Sequence, residues 1–199
     1  MKKINLLLIL LTLCCASIAQ PAKNVLDKAA SVINNKSGAS ANFSISSKQY
    51  GNTNGSITIK GKKFCASTPL AIVWFDGKTQ WSYMKRNNEV NINTPTEGEL
   101  QAINPYSFIY MYRSGFSYTM KTIGANYQVY LKATNKSRQI QEMYITVSKS
   151  TYIPSQIKMR QGSQWTTIAI SKFKKGNFSD TKFRFNAKDY PKAEIIDLR

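Results

Sequence analysis

The sequence contains no histidine and only 3 cysteines, Cys14, Cys15 and Cys65. The absence of histidine excludes Ser-His-Asp and Cys-His nucleophiles and removes the commonest metal ligand. Cys14 and Cys15 fall in an N-terminal segment read below as a removable leader, so Cys65 would stand alone in the mature chain. One cysteine cannot make an internal bridge or a thiolate zinc site, and its simplest role is that of a small core residue. Acidic residues are scarce as well, 10 against 28 Lys and Arg. They are scattered, and no carboxylate pair stands out. Glu97 and Glu99, two apart, would point different ways on a helix. Gly51-x-x-x-Gly55 lacks the Lys-Ser/Thr that completes a phosphate loop. These absences argue against an enzyme and leave no catalytic residue, metal site or cofactor to assign.

What is present begins with an export signal. Met1-Lys2-Lys3 precedes a run from Ile4 to Cys15 that is apolar apart from Asn5 and Thr12. Ser17-Ile18-Ala19 then offers small residues at a cleavage site, and the apolar run is short for a membrane span. Residues 1–19 are therefore expected to be a signal peptide and 20–199 a single domain. A lipoprotein signal needs a small residue before its cysteine, whereas Leu13 precedes Cys14 and Cys14 precedes Cys15. The full chain has a net charge of +18. An exported protein of this charge points to anionic head groups or an acidic partner rather than to nucleic acid, unless the lysines only solvate sheet faces and edges.

Along the chain the hydrophobic period changes once. From Ala22 to Lys36, Val25, Leu26, Ala29, Val32 and Ile33 recur at helical spacing, with Gly38 beyond as a stop. Period two follows. Strands are expected at 41–45 and 56–60, with a turn over Gly51–Gly55 and a bulge at Gly61, after which Phe64 and Cys65 continue the second strand. Further strands are expected at 89–93, 116–123, 127–133, 139–148, 155–160, 166–173 and 181–185. Between Thr94 and Gly115 two short helices interrupt them. Thr96 with Glu99 fits a capping box, and Asn104-Pro105 opens a segment carrying Phe108, Ile109, Met111 and Tyr112. Short connections favour an antiparallel meander, and about ten to eleven strands must curl. The predicted architecture is α+β and mainly β: an unclosed antiparallel barrel, with the N-terminal helix and a mid-chain lid over its mouth.

The segment Leu70-Ala-Ile-Val-Trp-Phe-Asp-Gly-Lys-Thr-Gln-Trp-Ser-Tyr-Met84 is the strongest local signal. Two aromatic runs flank Asp76-Gly77-Lys78-Thr79, which predicts a hairpin pairing Phe75 with Gln80, Trp74 with Trp81 and Ile72 with Tyr83. Asp76 is read as a turn residue bonding its own loop. Side-chain alternation puts Leu70, Ile72, Trp74, Trp81 and Tyr83 on one face and Gln80 and Ser82 on the other. The aromatic face suits either a core or the wall of an apolar cavity, and the lid-like segment favours the wall.

Phe75-Asp-Gly-Lys-Thr-Gln-Trp-Ser-Tyr83 resembles the corresponding hairpin of the LolA family of periplasmic outer-membrane lipoprotein carriers. Gly55-Ser-Ile-Thr-Ile-Lys-Gly-Lys-Lys-Phe64 resembles the strand that precedes it. The Asn104-Pro105 segment and the Glu194-Ile-Ile-Asp-Leu-Arg199 ending are similar to divergent, Bacteroidetes-type members. The resemblance implies a barrel that shields the acyl chains of lipoproteins or related lipids between the inner and outer membranes. It implies an inner-membrane ABC transporter as donor, an outer-membrane acceptor, transient contact with the membrane surface and a monomeric carrier. Expected cavity and mouth residues are Phe64, Ile72, Trp74, Trp81, Tyr83, Phe108, Met111 and Tyr112. Lys60 stands where well-studied members keep an arginine that ties the lid, and lysine cannot reproduce the forked hydrogen bonds of arginine. The alternative is a non-enzymatic amphiphile-sensing or envelope interaction module on the same fold.

Overall fold

A computed structural model of the chain describes residues 21–34, 36–48, 51–96, 99–100 and 111–199. A helix, α1, spans 21–33. Ala22, Val25, Leu26, Ala29, Ala30 and Ile33 are all buried along one stripe, as its spacing requires. Val32, at the margin of the stripe, is half-buried.

A single 12-stranded sheet follows. Its strands are β1 (Ala39–Ser47), β2 (Gly51–Lys60), β3 (Lys63–Ser67), β4 (Ala71–Phe75), β5 (Gln80–Met84), β6 (Glu89–Asn93), β7 (Phe116–Ile123), β8 (Asn126–Ala133), β9 (Ile140–Ser148), β10 (Pro154–Gln161), β11 (Gln164–Lys175) and β12 (Glu194–Asp197). The spatial order β12-β6-β5-β4-β3-β2-β1-β11-β10-β9-β8-β7 leaves β12 and β7 as free edges. The sheet is thus an unclosed, almost wholly antiparallel barrel. Its main core lies between one face, termed inner here, and α1, and includes Phe43, Ile57, Ile59, Phe64, Phe75, Val129, Leu131, Met143, Ile145 and Ile157.

The expected meander is borne out, with local corrections. Gly51–Gly55 is not a turn. It begins β2, where Asn52 and Asn54 pair with Ser46 and Ser44. Turn-forming residue types are tolerated there because they point outward, while Gly55 leaves room for the Phe43 ring opposite it: a Cβ on Gly55 would lie 2.7 Å from Phe43 Cζ. Gly61 is not a bulge within one strand. It takes φ +59° in the loop Gly61-Lys62, so Phe64 and Cys65 belong to a separate strand whose Lys63 pairs back with Lys60.

The expected strand at 181–185 is a 3-10 turn, Asp180–Phe183. Phe183 and Phe185 mimic period two because both rings of a C-terminal tail pack on the outer face of the sheet, not because they alternate across it. That tail, residues 176–193, crosses from β11 to the far edge and becomes β12, which pairs parallel with β6. A parallel pair needs a long crossover, and the tail supplies it.

Candidate functional site

The hairpin at β4–β5 forms as its sequence predicts: Ile72 pairs with Tyr83, Trp74 with Trp81 and Phe75 with Gln80. Asp76 Oδ1 accepts from the backbone N–H groups of Lys78 and Thr79 at 3.0 and 2.9 Å, closing the turn. Its other oxygen meets Arg184 Nε of the tail at 3.3 Å.

Alternation then sends the two sets of side chains to opposite faces, and the aromatic set does not face α1. Phe75 and Val73 join Phe64 and Ala66 in the inner core. Ile72, Trp74, Trp81 and Tyr83 lie on the outer face with Cys65, under Phe178, Phe183, Phe185 and Tyr190 of the tail. Trp74 meets Phe185 at 5.7 Å and Tyr190 at 5.6 Å, and Tyr83 meets Tyr190 at 4.7 Å. Ile72, Trp74, Trp81 and Tyr83, expected at a cavity wall, sit in this tail-covered outer cluster. Leu70 stays outside it, 69% exposed in the preceding loop. The physical reason is that the tail brings aromatic side chains of its own, Phe178, Phe183, Phe185 and Tyr190, so the two sets bury one another. Cys65 is buried among them, and burial pushes its thiol pKa up.

Phe64 does lie on the inner face, 1% exposed and 5.6 Å from the Phe75 ring. Tyr112, in the 3-10 turn Met111–Arg113, is also buried, and Met111 packs against the same core. The Tyr112 hydroxyl donates to Asp27 Oδ1 on α1. Asp27 also pairs with Lys23 at 2.7 Å. Lys23 and, next, Tyr112 hold the Asp27 carboxyl below its usual range, while burial and then Asp27 push the Tyr112 hydroxyl up. A further side chain of α1, Lys28, bonds Tyr152 Oη at 3.1 Å and sits 4.6 Å over its ring. The helix thus closes the inner face through an apolar stripe with polar ties at its margin.

Among the described residues, Lys60 ties down the C-terminal tail, while most of the expected lid segment, 101–110, lies outside them. Its ammonium donates to Phe178 O at 2.8 Å and to Asp180 Oδ1 at 3.2 Å, while Lys63 takes Asp180 Oδ2 at 2.7 Å. Its partner is the C-terminal tail. A flexible ammonium satisfies a carbonyl and a carboxylate here, where no planar fork is required. The mid-chain capping box forms: Thr96 N donates to Glu99 Oε2 at 2.7 Å and Glu99 N to Thr96 Oγ1 at 3.4 Å. Phe108, with the rest of 101–110, lies outside the described residues.

The apolar inner face also changes character across the hairpin. Register aligns Ile59, Phe64, Phe75, Gln80 and Asn93 in one row over β2, β3, β4, β5 and β6. The next row runs from Ala66 through Val73 and Ser82 to Asn91. Aromatic and aliphatic groups therefore give way to amides and a hydroxyl at the β5–β6 margin. Sequence reasoning missed this strip and the tail aromatics, although the alternation of Gln80 and Ser82 against Trp81 signalled the first.

Residues 12–163 match the family described as outer membrane lipoprotein carrier protein LolA. The chain belongs to this family. Among solved structures, an uncharacterised conserved protein from Thermus thermophilus shares the LolA-like fold, with a TM-score of 0.61, 10% identity, and coverage of 89% of this chain and 99% of that one. A LolA superfamily protein from Nitrosomonas europaea scores 0.42 at 12% identity, covering 84% and 98% of the two chains. A putative outer membrane lipoprotein-sorting protein domain from Vibrio parahaemolyticus scores 0.48 at 8% identity, covering 83% and 97%. No curated protein matches the sequence. The LolA match stops at residue 163, before β11 and the tail that ties down the outer face.

Proposed function

We propose that this LolA-family protein is a periplasmic carrier that hides the acyl chains of lipoproteins or related lipids against its inner face and carries them from the inner to the outer membrane. The observation that carries the reading is an apolar sheet face covered by α1, whose polar ties among the described residues include Asp27 to Tyr112 and Lys28 to Tyr152. Each methylene removed from water contributes about 0.8 kcal/mol, so an acyl chain of ordinary length can compete with the apolar stripe of such a helix. Phe64, Phe75, Met111 and Tyr112 would line the chains, Phe108 is proposed to join them, and α1 would yield when cargo enters. Transfer requires a donor such as an ABC transporter and an outer-membrane acceptor that favours the opened form. Binding alone accounts for this activity.

The test is mass spectrometry of organic extracts from protein purified out of the native envelope. Acylated cargo on the wild type, and its loss from a folded Phe64→Glu variant, is the expected outcome. A wild-type protein that never carries acylated molecules, even after exposure to solubilised lipoproteins, overturns the reading.

A further inference from the structure

The polar strip at the inner β5–β6 margin has unused hydrogen-bonding capacity. Gln80 is 8% exposed, and its Nε2 donates to Ser82 Oγ at 2.9 Å. Gln80 Oε1 is then buried without a partner among the described residues. So is Oδ1 of Asn93, its cross-strand neighbour. Buried acceptors without partners are rare, because each forfeits its hydrogen bonds to water. Here two neighbouring side chains carry them, in register with the Phe64 and Phe75 rings.

We infer that Gln80 Oε1 and Asn93 Oδ1 form an acceptor site for the N–H or O–H groups at the head of an acylated ligand, while its chains lie along Phe75 and Phe64. The inference rests on the carrier reading and adds polarity to it. The rings take hydrocarbon, the amides take a donor-bearing head, and the row that joins them sets which end of the amphiphile lies toward β6. The two unpartnered oxygens can only accept, so they are satisfied by an amide-linked or hydroxyl-bearing head and not by an ester with no donor. An acyl group joined through an amide fits this chemistry, and a plain fatty ester leaves both oxygens unpaired. Discrimination by a buried polar group is large, since the wrong ligand strands it without a partner.

The experiment compares two probes on the full-length mature chain by calorimetry or fluorescence displacement: N-palmitoylglycine methyl ester and its ester isostere, in which oxygen replaces the N–H. The wild type is expected to bind the amide about 10-fold more tightly, the equivalent of one well-made buried hydrogen bond. Gln80→Met with Asn93→Leu should bring the ratio to about 1 by strengthening the ester rather than weakening every ligand, with an unchanged or higher Tm. The single Asn93→Leu variant provides the same readout if the double variant does not fold. Equal binding of both probes by the wild type overturns the acceptor site and leaves the carrier reading standing. Retention of the preference in the variants, or an equal loss of both probes, also overturns it. Binding of neither probe by the wild type overturns the acceptor site and the carrier reading together.

Discussion

Tyr112 is nearly all apolar surface and is buried to 1% exposure, yet its single polar atom reaches Asp27 on α1. The residue therefore does two separable things, filling the core and fastening the helix. Tyr112→Phe keeps the ring and deletes the fastening, which should cost about 1–2 kcal/mol because Asp27 keeps Lys23 and solvent access. We expect a modest fall in Tm and faster amide exchange confined to α1. A uniform rise in exchange over the whole sheet would refute this division of labour. The aromatic character of Tyr112 is plain in the sequence, but its partner is not, because Asp27 lies on the charged side of an ordinary amphipathic pattern. Phe64 and Trp74 teach the same lesson. Both are buried aromatics in adjacent strands, and only the register decides that they serve opposite faces.

At the scale of elements, α1 and the β4–β5 hairpin were legible because each is defined by spacing within a short window. The tail was not, because 3-10 turns and a parallel edge strand depend on partners roughly 100 residues away. Besides its aromatic contacts, the tail is fastened by an ion-pair cluster at Asp180. Asp180 has its carboxyl held below the ordinary range by Lys63 and then Lys60. A depressed carboxylate contributes its full share above the unfolded value of about pH 4 and loses it as pH falls through the lower folded value. The tail should therefore stay down at neutral pH and loosen only in acid. Tryptophan emission would report this, since Trp74 and Trp81 lie under the tail. We expect a red shift below about pH 4 in the wild type, and the same shift already present at pH 7 in Asp180→Asn at raised salt. A pH-independent spectrum in the wild type would show that the aromatic contacts alone hold the tail.

For the molecule as a whole, the positive charge is unevenly placed. Lys62 and Lys63 at the β2–β3 loop, and Lys172, Lys174 and Lys175 on β11, end on either side of the start of β1, where Ala39 pairs with both Ile59 and Lys175. Lys172 holds φ +50° at the register shift between Ser40 and Asn42, a backbone state uncommon for lysine. Asp180 is already spent on Lys60 and Lys63. Such a corner attracts anionic lipid by about 1 kcal/mol for each lysine near the surface, and salt screens the attraction. Vesicles containing phosphatidylglycerol should bind the wild type at low salt and release it near 1 M. Charge reversal at Lys172, Lys174 and Lys175 should abolish binding, while reversal at Lys121, Lys136 and Lys188 should only weaken it. Equal effects would reduce the corner to net charge. Composition announced the charge, but its focus depends on which strands become neighbours.

The crossover to β12 also sets an order of events in time. β6 is synthesised long before the segment that covers its edge, and Ile195 and Ile196 reach Val90 and Asn91 only after the tail has passed over the rings of Trp74 and Tyr83. Until then an unpaired strand edge and an aromatic surface lie side by side, the combination most open to association between chains. A chain interrupted at Lys175, before the tail, would keep both bare however well its first eleven strands pair. The tail and its last strand thus work as a seal over the surface and edge through which chains would otherwise associate.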